Sequence, residues 1–426
     1  MYGTWISFTV CCSLSFILNK LQFYQDNIDI FSVCFIAVIS FFVFKDILIY
    51  YKNECKSIIL SYIFRLFLLY VGITYHGSSL QLPNDVDSDK YHICAVQILR
   101  GMTPYYDNYY SKLLSSVYYV FGVSRIIGQY LNILFSLTTI HVISLTLKKI
   151  KINDKLCSLG VKIVSLLPGY AILSAILLRE SIIILLLACS TYCIVCWLKD
   201  SQLLYFLYAS LFCGCAAIFH GGSITPLMAY IVIFVLYDRK KHQIKFSIYQ
   251  KFLVAVAFFA FLMMFASIED FSISFMEEAE SAKDARESEK GGATYIVGVD
   301  ISNPILNFVV NTPIRVFYYL LSPMPWDWRG INDIFCFIFS SSFYTIGFIL
   351  TIKVLSLYGK TFLLRKYLLA TLLIMSMSSI IFSWGVSNSG TAMRHRDKFI
   401  APYIVMAMTA LNLYSNKKNC KILGIK

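Results

Sequence analysis

The chain has 426 residues, of which 58 % are hydrophobic and only 14 % charged. A soluble protein carries about a quarter charged residues, so a soluble fold is excluded and the bilayer replaces a water-excluded core as the reason to fold. The net charge of +13 sits mainly in short connections between apolar stretches, where membrane orientation and anionic headgroups account for it. Nucleic acid is therefore not an expected partner.

In chain order, apolar stretches long enough to cross a bilayer core of about 30 Å fall at 4–19, 28–44, 58–75, 126–147, 157–178, 181–198, 202–218, 222–237, 252–268, 332–352, 367–385 and 398–414. An open sheet cannot cross lipid with unpaired backbone groups, so the expectation is an all-α, polytopic integral membrane protein. It has about twelve helices in one transmembrane domain spanning 1–426. The first stretch begins almost at Met1 without a basic region before it, and reads as a retained span and not a signal peptide. The 13 cysteines lie mostly inside spans as small apolar side chains. No CxxC pair lies in a polar loop, so neither a disulfide framework nor a zinc site is expected.

Basic clusters fix the orientation. Lys45, Lys52 and Lys56 precede the third stretch, and Lys148, Lys149, Lys151 and Lys155 follow the fourth. Arg239, Lys240, Lys241 and Lys245 follow the eighth, Lys360, Arg365 and Lys366 the tenth, and Lys417, Lys418 and Lys421 end the chain. With both termini cytoplasmic these all fall on one side; Lys20 is the exception. Two external segments are long. In the first, 76–125, NDVDSDKYH starts a short helix that Ser88 or Asp89 can cap and Gly101 ends, before TPYYDNYYSK. The second, 269–331, opens with the charged helical stretch MEEAESAKDARESEK, stopped by Gly291-Gly292. Thr312-Pro313 then starts an amphipathic, aromatic-rich run along the membrane surface that leads into SPMPWDW.

The candidate chemistry is all external. Asp85, Asp87 and Asp89 alternate close to the membrane, where a carboxylate can take a proton from a sugar hydroxyl or hold a divalent cation against phosphate oxygens. The alternative is a solvated, capping turn. Arg179-Glu180 interrupts one long apolar stretch, as the tip of a tight hairpin, and Pro168-Gly169 breaks the preceding helix. Here the alternative is a snorkelling pair. Arg394-His395-Arg396 with Lys398, in NSGTAMRHRDKF, offers two guanidinium forks to phosphate oxygens at the outer end of a span, or else binds headgroups. His220-Gly221-Gly222 is a further external turn. Inside the spans only Arg65 and Lys162 interrupt, both placed to snorkel to the cytoplasmic side. An ion-coupled transporter would need more buried charge along its path.

In their order, NDVDSDKYH, LLRES, SPMPW and GTAMRHRDKF resemble the Wzy type of bacterial O-antigen or capsule repeat-unit polymerase, and more distantly the GT-C class of lipid-linked-sugar glycosyltransferases. In the GT-C class the acidic motif usually follows the first span, whereas here it follows the third. The resemblance implies joining of undecaprenyl-pyrophosphate-linked oligosaccharides into a surface polysaccharide on the periplasmic face of the bacterial inner membrane. A flippase and a chain-length regulator are the implied partners. Asp87 or Asp89 would be the base, with Glu180 in reserve. Arg179, Arg394 and Arg396, helped by His395, Lys398 and His220, would hold the pyrophosphate. Asp85, Tyr91 and Trp326 would meet the glycan. No cofactor is implied, and a divalent metal stays open. The alternatives are a GT-C-like transferase using a polyprenyl-phosphate sugar, and a lipid-linked oligosaccharide flippase or other transporter.

Overall fold

The computed structural model describes residues 1–77, 82, 85–238, 243–244, 298–299, 301, 303–328, 330–357, 365–386 and 389–422. The expected span 252–268, the stretch MEEAESAKDARESEK with Gly291-Gly292, and the basic residues Arg239, Lys240, Lys241, Lys245 and Lys360 lie outside these residues. So do the side chains of Lys417, Lys418 and Lys421. The chain divides into two units: Met1–Tyr192 with Gly214–Gly221, and Cys193–Cys213 with Gly222–Lys426.

The first unit contains α1 (Tyr2–Lys20), α2 (Ile28–Tyr50), α3 (Cys55–Thr74), α4 (Asp85–Leu99), α5 (Tyr109–Phe121), α6 (Arg125–Ile150), α7 (Asp154–Leu166) and α8 (Pro168–Ala175). It also holds the first part of α9 (Glu180–Asp200) and the end of α10 (Leu203–Phe219). The second unit holds the rest of those two, then α11 (Thr225–Leu236) and a two-stranded antiparallel ribbon of β1 (Tyr237–Asp238) and β2 (Gln243–Ile244). It continues with α12 (Pro304–Leu321), α13 (Ile331–Cys336), α14 (Ser342–Leu357), α15 (Arg365–Trp384), α16 (Ser389–Asp397) and α17 (Ile400–Ile422). A single π turn, Phe337–Ser341, joins α13 to α14.

Among the described residues six helical stretches are long and apolar enough to cross a membrane: α2, α3, α6, α9, Asp333–Leu357 and α15. The α7–α8 pair makes a seventh if its 51° bend is one broken span. Stretches Leu203–Phe219, Gly221–Leu236 and Ile400–Ser415 are apolar but shorter. α1 forms a helix over the first expected span, diluted by Thr4, Ser7, Thr9, Ser13 and Ser15.

Helix ends in the first unit sort to two sides. Lys20 at the end of α1 meets α5, since Asn19 donates to the Tyr119 carbonyl (3.2 Å) and the Lys20 ammonium lies 4.3 Å from the Tyr119 ring centre. At the other side the amino group of Met1 pairs with Asp46 (3.3 Å), and Tyr51 bonds His141 (2.8 Å) on the α6 half that ends in Lys148 and Lys149.

Three local expectations change. Segment 76–125 is not chiefly loop. α4 and α5 pack as a helical hairpin, with Asn108 capping α5 through the Ser111 amide (2.8 Å), Ser111 Oγ donating to the Tyr91 carbonyl (3.1 Å) and Tyr91 edge-on to Tyr110. α4 already begins at Asp85, so Ser88 and Asp89 lie inside it and are not its caps. α12 begins at Pro304 and carries Pro313 within it, so Thr312-Pro313 is not its start.

Arg65 does not snorkel. It is fully buried mid-way along α3, and Nε donates to Ser136 Oγ (3.0 Å) and Ser174 Oγ (2.9 Å). Nη1 donates to the Ser61 (3.3 Å) and Ser165 (3.0 Å) carbonyls. Pro168 lacks an amide proton and bends the α7–α8 pair, and Arg65 with Ser61 Oγ (2.6 Å) satisfies the Ser165 carbonyl just before the bend. The inference that the spans hold almost no buried charge fails at this residue.

Candidate functional site

Of the three alternating aspartates, the fold singles out Asp89. Its described contacts all fall on Oδ1: an ion pair from Arg125 Nη1, and His76 Nε2 at 3.0 Å. Arg125 Nη2 donates to the buried Ser88 hydroxyl (2.8 Å). Arg125 is the first residue of α6, where a cation opposes the helix dipole, and the Asp89 carboxylate offsets that. Asp89 itself stays 39 % exposed, open enough for an acceptor to reach it. Asp87 faces elsewhere, 3.7 Å from Lys90 in an i,i+3 surface pair, and the side chain of Asp85 lies outside the described residues. One turn beyond Asp89, His92 shares a 2.7 Å hydrogen bond with the Tyr118 hydroxyl. Burial, reinforced by the Arg125 charge, pushes the His92 imidazole down to about 4, so it is neutral at pH 7.

A second cluster forms where α8 gives way to α9. After Ala175 the chain unwinds through Ile176–Leu178, and Asn132 Nδ2 on α6 reaches the carbonyls of Ile176 (2.8 Å) and Leu178 (2.9 Å) and the Tyr110 hydroxyl (2.9 Å). Gly128, one turn earlier on α6, admits this unwound segment: a Cβ there would sit 2.7 Å from Leu177 Cδ1. Helix resumes at Glu180, which is fully buried at the N-terminus of α9, where the dipole favours a carboxylate. The connection expected as a tight hairpin tip is buried, with its carbonyls held by Asn132. Arg179 Nη1 donates to the Phe219 carbonyl (3.0 Å), next to the half-buried His220, and its guanidinium lies 5.9 Å from the Tyr91 ring centre. Burial drives the Tyr110 phenol well up, opposed by its bond to Asn132, while Glu180 adds to the rise. Tyr91, Arg179 and Glu180 are thus gathered with Tyr110 and Asn132, and Asp89 stands two residues from Tyr91 on α4.

The other candidates are in the second unit. GTAMRHRDKF is mostly helix: it forms most of α16 and, at Lys398-Phe399, the short turn that leads into α17. Arg396 is buried with its fork directed at the end of α12: Nη1 donates to the Tyr319 carbonyl (3.0 Å) and to Leu320, and Nη2 donates to the Ser322 carbonyl (3.0 Å). These are carbonyls that a helix C-terminus leaves open. Lys398, fully buried, donates to His395 Nδ1 (2.9 Å), and both lie against the Phe382 ring. Asp397 accepts a bond from the Tyr344 hydroxyl (3.0 Å). Burial raises its carboxyl to about 6, against the pull of Tyr344 and Arg396. Arg394 is half-buried, and Trp326 is exposed in the short turn after α12.

Sequence reasoning missed Arg125, His76, Asn132 and Asp397. Arg125 carried a usable signal, a cation on the side opposite the basic clusters, like Lys20 and Arg394. Asn132 carried none, because its partners are backbone carbonyls distant in the chain. Among the described residues no group of three or more His, Cys, Asp or Glu side chains converges as a metal site would require.

Residues 95–277 match the family model described as dolichyl-phosphate-mannose-protein mannosyltransferase. The match covers fewer than half of the residues, from within α4 onward, and includes Arg125, Asn132, Arg179, Glu180 and His220. No curated protein matches the chain. Helices of this length, together with a match to a membrane glycosyltransferase family, make this a multi-pass membrane protein. The match backs the lipid-linked-sugar transferase alternative over the repeat-unit polymerase.

Proposed function

We propose that the chain is a GT-C-like glycosyltransferase that moves a sugar from a polyprenyl-phosphate donor to an acceptor hydroxyl. The observation that carries this reading is the placement of Asp89: a half-exposed carboxylate on a helix between two spans, with one oxygen fixed by Arg125 and His76. In the reaction the acceptor oxygen attacks the anomeric carbon and the bond from that carbon to the phosphate oxygen breaks. The proton of the acceptor passes to Asp89 Oδ2, and the polyprenyl phosphate leaves with the bonding pair. Arg125 fixes the direction of the carboxylate, and neutral His92 adds no competing charge. Arg179, oriented by the Phe219 carbonyl and the Tyr91 ring, stabilises the negative charge on the leaving phosphate. Glu180 positions the start of α9. In the second unit Arg394 is the candidate for a further anion contact, while Lys398 and His395 are buried and engaged with each other. Asp85 and Trp326 stay candidates for acceptor contact, and a divalent metal stays open.

The side carrying Lys20, α4 and α5 is the external one on this reading, because Lys148 and Lys149 end α6 at the other. In a bacterium that is the periplasmic face of the inner membrane.

The test uses the purified full chain in neutral-lipid nanodiscs. Polyprenyl-phosphate monosaccharides are offered in one arm and polyprenyl-pyrophosphate oligosaccharides in the other, with products resolved by mass spectrometry. Release of polyprenyl monophosphate in the first arm, lost in Asp89→Asn, is expected. Turnover confined to the second arm would restore the repeat-unit polymerase instead.

A further inference from the structure

A cavity of about 540 Å³ opens in the first unit on the side that carries α4 and α5. Asn19, Lys20 and Gln22 form one wall, at the turn from α1 to α2; Tyr118, Tyr119 and Gly122, at the end of α5, form the other. The fold builds this space with care. Gly122 has φ +83°, a conformation that residues with a Cβ rarely adopt, and a Cβ there would sit 2.7 Å from Ile28 Cδ1. Asn19 ties the walls through the Tyr119 carbonyl (3.2 Å), and Gln22 takes a left-handed φ of +56° to close the α1 end.

Lys20, like Arg125 and Arg394, is a cation that the positive-inside pattern does not explain. Its ammonium is held at the cavity by two rings, 4.3 Å from the centre of Tyr119 and 5.6 Å from that of Phe16. No carboxylate pairs with it among the described residues, unlike Lys112, which pairs with Asp107 at 2.9 Å. An aromatic-held ammonium keeps its charge and its outward N–H donors, and amide side chains beside it add neutral donors. A helix end with aromatic walls and a cation facing a cavity of headgroup size has the chemistry of a phosphate-ester receptor.

We propose that this cavity binds the phosphate of an anionic lipid headgroup, with Lys20 as its charged contact. The site is separate from the Asp89 cluster but shares a wall with it, since Tyr118 lines the cavity and bonds His92 at 2.7 Å. Occupancy therefore stiffens the α4–α5 hairpin from behind.

The full chain is purified from mixed phosphatidylcholine and phosphatidylglycerol nanodiscs, and retained lipids are counted by native mass spectrometry. The wild type and Lys20→Arg are expected to keep one more phosphatidylglycerol than Lys20→Gln, and Lys112→Gln to behave as wild type. In a second arm, inorganic phosphate is titrated in phosphatidylcholine alone and melting is followed. Stabilisation that Lys20→Gln abolishes, without any difference in retained lipid, would identify a soluble phosphate as the ligand and overturn the lipid assignment. Equal lipid retention by wild type and Lys20→Gln, with no phosphate response in either, would overturn the site. Each variant is checked for an unchanged elution profile, so that loss of the lipid is not loss of fold.

Discussion

Replacing Arg65 should invert the usual order of conservative and drastic substitutions. Its guanidinium is fully buried among Ser61, Ser136, Ser165 and Ser174, and no carboxylate pairs with it among the described residues. Hydrogen bonds from a charged donor contribute about 1.5–3 kcal/mol each. Against them stands the burial of a lone guanidinium, about 2.5–3.5 kcal/mol even on permissive insertion scales. Arg65→Met removes both terms together. Few groups are orphaned by it: the Ser165 carbonyl keeps Ser61 Oγ, and the hydroxyls of Ser136 and Ser174 keep their own helix carbonyls, Ile133 and Ala171. The net change in stability should stay within about 1–2 kcal/mol. Arg65→Lys keeps the charge but not the planar fork that reaches the Ser165 carbonyl and the two hydroxyls at once, so it should be the less stable variant by about 2–4 kcal/mol. Thermal unfolding in detergent, followed by light scattering and tryptophan fluorescence, gives the order. Sugar transfer should fall in both, because Arg65 helps set the bend that delivers Arg179 and Glu180. A methionine variant that melts far below the lysine variant would refute this account of the buried charge.

Asp89→Asn should leave donor binding intact and lower transfer by about 10²–10⁴-fold, measured as polyprenyl phosphate released; unchanged transfer would remove this carboxylate from the chemistry. His92 titrates near 4 when folded and near 6.5 when not, so the unfolded chain takes up the proton first as pH falls. The melting temperature should drop between pH 6.5 and 4, and His92→Gln should flatten that drop while keeping a partner for Tyr118. Asp397 has the opposite sign: its folded carboxyl is raised to about 6 from 3.8, so it destabilises as pH rises through that range. Asp397→Asn should match or exceed the wild-type melting temperature at pH 7 and lose that advantage at pH 4.

The apolar runs made most helices legible, because lipid imposes length and composition directly on each segment. What the sequence hid were contacts whose two halves are far apart. Asp87 and Asp89 look alike in NDVDSDKYH, and only the arrival of Arg125 and His76 on one of them separates surface pair from fixed carboxylate. Snorkelling was a fair expectation for Arg65 from depth alone, yet serines from three other helical positions satisfy it in place. The interruption at Arg179-Glu180 was visible, but its meaning was not. An exposed connection and a buried one leave the same mark on hydropathy, and the Asn132 contacts and the burial of Glu180 show the second.

Arginine in a membrane chain therefore has two readings that composition cannot tell apart, since broken helices expose carbonyls just as ligands expose phosphate oxygens. Arg396 shows the first: three carbonyls at the end of α12 occupy its fork. Arg394, two residues earlier and half-buried, is the better candidate for the second. The two should separate experimentally. Arg396→Ala orphans buried acceptors at about 1–3 kcal/mol each, so it should lower the melting temperature and the amount of protein in the membrane. Arg394→Ala should weaken donor binding, read as a raised KM with kcat little changed, and Arg394→Lys should recover part of it. If Arg394→Ala instead melts early with normal KM in the surviving fraction, the cluster is a helix clamp throughout and the anion site lies with Arg179 alone.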